Sequence, residues 1–277
     1  MFNSRFKKIV LTTVVAALLS SCNLAGVLKN QKNLFGRYYD GALNEKELKS
    51  FNPALAKAYT RVYRETNFKK PYIVGKCIAD AVLSNLPRDA YQTFVDWQVL
   101  VAGTNRVTIS AIGNRLLVIS DAALEHYNYD QNVIAYFIAH AVAHSELDHL
   151  NERMGMKEHY VSKPLEAFSS NEGDYVTKVM ALAGEPADEK DLIHYTKELE
   201  DEADSMAMSL VAMAGFDPNN VFVYLNNHID DDQGFYVKQH PITEKRVEYI
   251  STLLDNSVKL RDRAFKNGVH PQCSNIQ

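Results

Sequence analysis

Two histidines one helical turn apart constrain this chain more than any other feature. Residues 137–149 read FIAHAVAHSELDH, and an apolar run precedes the pair. On a helix, His140 and His144 lie about 40° apart on one face, separated by one turn. This spacing lets two imidazoles bind one Zn²⁺ at about 2.0–2.1 Å. A histidine pair alone is also compatible with an ordinary core or surface helix, so the prediction of a metal site depends on a third ligand.

The third ligand is expected among the acids of residues 198–204, which read ELEDEAD. Periodicity on the predicted helix separates them. Glu202 lies in a wholly polar row and is predicted to face solvent. Glu200 and Asp204 lie in a row that continues with apolar residues, beside the core stripe. We therefore predict Glu200 as the metal ligand and Asp204 as the acceptor that orients a ligand imidazole. The alternative, that Glu200 is an ordinary acid on a helix surface, stays open.

The remaining pattern predicts a mostly helical α+β domain with a small sheet. Asp121 and Asp130 are expected to cap two of the helices, and Gly113-Asn114 is expected to form a hairpin turn. Residues 155–187 are polar and irregular and predict an inserted segment over the site. The predicted helices cover 44–65, 72–85, 121–126, 131–154, 188–214, 218–228 and 242–254, and the predicted strands cover 93–101, 107–112 and 115–120.

The N-terminus has the features of a processed leader. Basic residues at 5, 7 and 8 precede the apolar run 9–19, which is shorter than the ~20 residues of a membrane-spanning helix. Leu19-Ser20-Ser21-Cys22 follows and resembles a bacterial lipobox. That resemblance implies removal of residues 1–21, lipidation of Cys22 and anchoring in the cell envelope. Asn23 then favours the outer membrane, facing the periplasm. Ordinary cleavage, with Cys22 left as a thiol, is the alternative.

Composition sets the remaining limits. Of 277 residues, 22–40 are predicted to be a tether and 41–277 a single domain. The formal net charge of −4 argues against a nucleic-acid binder. Three cysteines are too few for a disulfide scaffold. In an oxidising envelope Cys77 and Cys273 can form a disulfide. The alternative is that Cys77 is simply a small buried residue.

Over about residues 72–255 the chain resembles the zinc metallopeptidases of the CAAX-prenyl-protease and HtpX type. Within them it is most similar to a bacterial envelope branch that degrades misassembled outer-membrane proteins. The Glu200–Asp204 run and the His240-Pro241 pair are more specific than the histidine pair. The matching residues are His140, His144, His149, the run Glu200-Asp201-Glu202-Ala203-Asp204, the Gly215-Phe216-Asp217-Pro218 helix stop, and His240-Pro241 with Arg246.

The resemblance implies a zincin fold of gluzincin type with one Zn²⁺ per chain. It makes His140, His144 and Glu200 the zinc ligands, and it places Asp204 and His149 behind them. His240 is then the residue that can approach the zinc and occlude the site, and Arg246 lies near the cleft. A loop histidine and an exposed helix arginine are the alternatives for these last two.

One departure from the family bears directly on catalysis. The family has Glu directly after the first histidine, where this chain has Ala141. That Glu takes a proton from the zinc-bound water. Glu146 is predicted to point about 140° away from Ala141, and Asp148 to lie about 10.5 Å further along the helix. Neither is expected to replace the base, so the chain is predicted to bind zinc and to hydrolyse peptides poorly.

Three functions remain open at this stage. The first is an envelope zinc metalloendopeptidase acting on unfolded or misassembled envelope proteins, with its base replaced in this chain. The second is a natural pseudopeptidase that uses the same groove as a client- or partner-binding module. The third is a structural domain that binds no metal.

Overall fold

The computed structural model describes Thr60 and residues 63–86, 97–112, 115–147, 149, 197–230 and 240–273. Within these ranges no helix is long and apolar enough to cross a bilayer. The predicted leader, Cys22, the tether and the insertion 155–187 lie outside the described residues. The elements are α1 (Lys69–Leu83), β1 (Gln98–Ala102), β2 (Ile109–Ile112), β3 (Leu116–Ser120), α2 (Asp121–His126), α3 (Gln131–Glu146), α4 (Lys197–Met213), α5 (Pro218–Asn227) and α6 (Glu244–Lys266). This is the predicted α+β class, mostly helical with a small sheet.

The sheet is small and mixed, in the order β1-β3-β2. β2 and β3 pair antiparallel, as the predicted hairpin requires, although its turn at Gly113-Asn114 lies outside the described residues. β1 pairs with β3 in parallel. All five residues of β3 are buried, as expected for the central strand of a covered sheet.

Helix α3 is the centre of the domain. Asp130 caps it as predicted, since its carboxylate accepts from the backbone N–H groups of Asn132 and Val133. Every residue from Val133 to His144 is buried. A helix that is apolar on all sides belongs in a core, and α1, α4, α5 and the sheet all pack against it. The two histidines of α3 are therefore held within a rigid, fully packed element.

Helix α4 ends where the sequence predicts. Gly215 takes a φ of +84°, and the backbone N–H of Phe216 reaches back to the carbonyl of Val211 at 3.0 Å. Glycine is required there for two reasons. The positive φ disfavours other residues, and a Cβ would lie 2.7 Å from Pro271 Cδ. Asp217 then caps α5 by accepting from the backbone N–H of Asn219.

A disulfide joins Cys77 of α1 to Cys273, with the two Cα atoms 5.6 Å apart. The backbone N–H of Cys273 also donates to Gln131 Oε1 at the start of α3. The C-terminal segment is therefore fastened to two helices of the core. This is the paired alternative of the two that the sequence left open.

Several predicted boundaries were wrong. Residues 63–65 are not helical, because Glu65 forms an antiparallel bridge with Ala102. Ser120, rather than Asp121, caps α2, and Asp121 instead accepts from the Thr66 hydroxyl and the Thr104 amide. Helix α3 ends at Glu146 instead of 154, and α6 runs from Glu244 to Lys266, well past the predicted end at 254.

Candidate metal centre

Four buried side chains from three parts of the chain converge at one point. His140 and His144 come from α3, Glu200 from the first turn of α4, and His240 from the segment before α6. One ligand atom of each lies within 4.8 Å of every other, so the group could hold a metal ion. Packing of α4 against both α3 and α6 is what brings these elements together.

The spacing of the donor atoms suits a small tetrahedral cation. Ligand atoms about 2.1 Å from a tetrahedral Zn²⁺ lie roughly 3.3 Å apart. His140 Nε2 lies 2.9 Å from His144 Nε2 and 3.4 Å from Glu200 Oε2. His144 Nε2 lies 3.5 Å from Glu200 Oε1. Two imidazole nitrogens and a carboxylate at these separations fit Zn²⁺ in its usual ligand set.

The carboxylate of Glu200 also suits a cation. Its Oε2 atom is buried and accepts no hydrogen bond from the described residues, although Arg246 Nη1 lies 3.1 Å away. A buried carboxylate oxygen normally has a hydrogen-bond or metal partner. Burial works to raise the pKa of this carboxyl, but His240 and the Arg246 guanidinium hold it well below its usual range. Glu200 is therefore an anion at neutral pH, as a metal ligand must be.

Asp204 lies behind the first histidine, as predicted. Its Oδ1 is 2.7 Å from His140 Nδ1, and both side chains are fully buried. A carboxylate only accepts, so Nδ1 carries the proton and Nε2 turns its lone pair towards Glu200 and His144. Burial opposes ionisation of Asp204, yet Arg246 lowers its pKa to about 2. The carboxylate is charged throughout the physiological range.

Arg246 is buried beneath the centre and is not an exposed helix residue. Its Nε and Nη2 each donate to Asp204 at 2.7 Å. Its Nη1 donates to the carbonyl of His240 at 2.9 Å. The guanidinium thus joins the acid behind His140 to the segment that carries His240, and it is already engaged by protein groups.

His240 occupies the position that the family resemblance implies for it. Its Nδ1 lies 2.7 Å from Glu200 Oε1 and 3.4 Å from His140 Nε2. The side chain is buried, and burial lowers the pKa of its imidazole to about 4. Neutral at pH 7, it presents a fourth donor atom where a catalytic site would keep an open position.

His149 lies behind the second histidine, as expected. Its Nδ1 is 2.9 Å from His144 Nδ1, and its Nε2 is 3.4 Å from Glu202 Oε2. Glu202 is thus half-buried at the end of a chain of three side chains, whereas its polar row predicted a solvated face. Helical periodicity placed Glu202 on a solvated face because it considers one helix alone. It cannot show that His149, in the segment after α3, contacts this glutamate.

Ala141 leaves the position after the first histidine without an ionisable group, and it is buried. Glu146 lies within 3.4 Å of Arg115 Nε, towards the start of β3. Asp148 lies outside the described residues. Glu146, the described one of these two acids, is thus paired with Arg115 instead of filling the role of the base.

Sequence reasoning missed one residue of the site. Tyr136 is fully buried, and its hydroxyl donates to Asp204 Oδ1 at 2.7 Å. On an apolar helix a tyrosine is first interpreted as core. The available signal was its spacing, because a residue four positions before His140 lies on the same helix face.

A buried His-His-Glu group on two packed helices defines a metallopeptidase class of site, and comparison with known proteins agrees. The model of peptidase family M48 matches residues 111–254, just over half of the chain. The chain belongs to this family of zinc metallopeptidases. The match includes both histidines, Glu200, Asp204, His240 and Arg246.

A mitochondrial metalloendopeptidase, OMA1 from Arabidopsis thaliana, is similar over a shorter share of its length. It is 26% identical over 160 residues, which make up 57% of this chain and 31% of the relative. The matched part thus spans less than a third of that protein.

Proposed function

We propose that this chain is a zinc metalloendopeptidase domain of the bacterial envelope whose general base is absent. The observation that carries the proposal is the convergence of His140, His144 and Glu200 at tetrahedral separations inside a family M48 domain. Bound Zn²⁺ would polarise a scissile carbonyl and lower the pKa of water. The chain's own residues bind and orient that ion but offer no carboxylate at position 141.

The protein groups have distinct tasks in this proposal. His140, His144 and Glu200 hold the metal. Asp204 keeps the proton of His140 on Nδ1, and His149 forms a hydrogen bond with Nδ1 of His144. His240 occupies the remaining side of the site and would have to withdraw before a peptide could enter. Buried apolar side chains pack around α3, the helix that carries both histidines.

An extended peptide is the substrate form that the sheet suits best. Among the described residues β2 is one of the two outer strands in the order β1-β3-β2, and α3 packs against it. A segment of unfolded protein could add to such an edge through backbone hydrogen bonds, with little dependence on side chains. We propose unfolded or misassembled envelope proteins as clients on this basis and on the family resemblance.

The envelope location rests on the sequence alone. The basic stretch, the short apolar run and the lipobox-like Leu19-Ser20-Ser21-Cys22 support a lipid anchor in the outer membrane. We expect Cys22→Ser to move the protein from the membrane fraction to the soluble periplasm. An unchanged membrane fraction, with no lipid on Cys22 by mass spectrometry, would contradict the anchor.

A second function is favoured by Ala141 and by the placement of His240. A zinc-binding domain without a base, with a fourth protein donor at the metal, suits capture of clients or partners better than turnover. The two functions separate in one experiment with zinc-loaded protein and unfolded β-casein as the probe. Stable binding without cleavage supports the binding module, and cleavage at a normal peptidase rate shows that another group acts as the base.

A further inference from the structure

Helix α5 has an exposed face that carries no charge. The helix reads PNNVFVYLNN, and residues 218–229 contain no Asp, Glu, Lys or Arg. Exposed positions of α6, such as Lys245 and Glu248, are charged instead. A helix face that water covers usually carries charged side chains, so the exposed face of α5 differs from an ordinary solvated surface.

The pattern of α5 is symmetrical about Val223. From either end, residues 219–227 read two asparagines, an aliphatic residue and an aromatic residue, with Val223 at the centre. At about 100° per residue, the amides three and four positions on either side of Val223 lie within about 60° of it. These amides are Asn219, Asn220, Asn226 and Asn227. All four are exposed, and Val223 between them is 55% exposed, whereas Val221 and Leu225 on the opposite side are buried.

Local helix stability does not account for these amides. Asparagine has a low helix propensity. The residues that stabilise helix ends are acids in the first turn and bases in the last turn, and α5 has neither. Asn219 has a local role, because its backbone N–H and its side-chain amide both donate to Asp217 Oδ1. That role does not explain why the same amides recur on the other side of Val223.

A second copy of the same helix complements this face. If two copies of α5 pair antiparallel about a two-fold axis at Val223, valine meets valine, and the amides at one end meet those at the other end of the copy. A side-chain amide has both donors and an acceptor, so asparagines can bond to one another. The nearest acids along the chain are Asp217 and Asp230, and Asp217 is paired with Arg261 Nη1 at 3.3 Å. Two copies can therefore approach through this face although each chain has a net charge of −4.

We propose that α5 forms a reversible contact with α5 of a second copy of this chain, centred on Val223. A helix of ten residues is about 15 Å long, and one face of it is smaller than the ~800 Å² that each partner buries in a standard complex. The contact is therefore weak and depends on protein concentration. It includes none of the candidate metal ligands and does not depend on the proposed function.

Val223→Cys tests the contact in the full-length chain. Position 223 lies at the two-fold axis, so its two copies meet and should form a disulfide under mild oxidation. Asn220→Cys is a control on the same face, since two copies of position 220 lie about 9 Å apart along the helix axis. Phe68→Cys is a control for exposure, because Phe68 is 66% exposed at the start of another helix. Both controls should cross-link more slowly than Val223→Cys, with the unmodified chain as the background.

Sedimentation of the full-length chain gives a second measurement. The mass of the unmodified chain should rise with protein concentration from that of one chain towards that of two. Val223→Lys should keep the mass of one chain, because two like charges would meet at the axis, whereas Phe68→Lys should behave as the unmodified chain does.

Three results would overturn the pairing. The first is equal cross-linking at positions 223, 220 and 68. The second is a mass that does not rise with concentration, or that rises equally in Val223→Lys. The third is a cross-link of Val223→Cys in the cell envelope to a different protein and not to a second copy of this chain.

Discussion

Asp204 Oδ1 lies 2.7 Å from His140 Nδ1, and both side chains are completely buried. This contact determines which nitrogen of His140 faces the centre. It also explains why a carboxylate is tolerated in the core, since Asp204 receives two hydrogen bonds from Arg246 and one from Tyr136. A buried charge is stable only when it is paired and hydrogen-bonded in this way. The candidate metal centre thus rests on buried charged groups that are paired and hydrogen-bonded with one another.

Glu200 and Glu202 offer the sharpest test of the ligand set, because they are neighbours on one helix. Glu200→Gln should abolish stoichiometric zinc binding, since the amide removes an anionic ligand. Glu202→Gln should keep one zinc per chain, with at most about a tenfold weaker affinity through His149. Metal content of the purified variants by mass spectrometry measures both. Equal zinc loss in the two variants would show that the assignment of Glu200 is wrong.

The low pKa of Asp204 predicts an acid-sensitive stability. Its folded-state pKa of about 2 lies below the ordinary value of 3.8. The carboxylate therefore contributes stability that is fully present above about pH 4 and is lost as the pH falls towards 2. The contribution is about 2 kcal/mol. Urea unfolding of the metal-free protein across this window should show the decline.

Asp204→Asn is the control for this pH dependence. It should be less stable at pH 7, because it leaves the buried Arg246 guanidinium without its charged partner. Its free energy of unfolding should fall less than that of wild type between pH 4 and pH 2. Parallel curves for the two proteins would mean that Asp204 does not titrate as described.

The disulfide between Cys77 and Cys273 predicts a loss of stability on reduction. It closes a loop with a sequence separation of 196 residues. The double variant Cys77→Ser, Cys273→Ser should lose about 2–5 kcal/mol of unfolding free energy. Reductant should destabilise wild type by a similar amount and leave the double variant unchanged. If neither the double substitution nor the reductant lowers the melting temperature, the disulfide has no structural role.

Local sequence signals predicted much of this structure. The cap at Asp130, the stop at Gly215 and the buried row of Glu200 and Asp204 each depend on residues within a few positions of one another. The order of elements was enough for the α+β class. The parallel pairing of β1 with β3 depends on chain segments that local periodicity does not connect.

The network behind the metal site shows the same limit. Sequence reasoning missed Tyr136 and placed Glu202 on a solvated face. The partners of both residues come from elsewhere in the chain: Asp204 and Arg246 for the tyrosine, and His149 for the glutamate. A buried tyrosine in an apolar helix has the same sequence pattern whether or not its hydroxyl is bonded. Only the packing of α4 against α3 and α6 shows what it meets.

The central claim is that this site lacks only its general base. The most direct measurement is the rate of β-casein cleavage by zinc-loaded Ala141→Glu relative to Ala141→Gln, which has a similar size but no ionisable group. General acid–base assistance is typically worth 10²–10⁴-fold, and we predict an increase in that range for Ala141→Glu alone, with the unmodified chain as slow as Ala141→Gln. If Ala141→Glu binds zinc and cleaves no faster than Ala141→Gln, the claim that the site lacks only its general base is wrong.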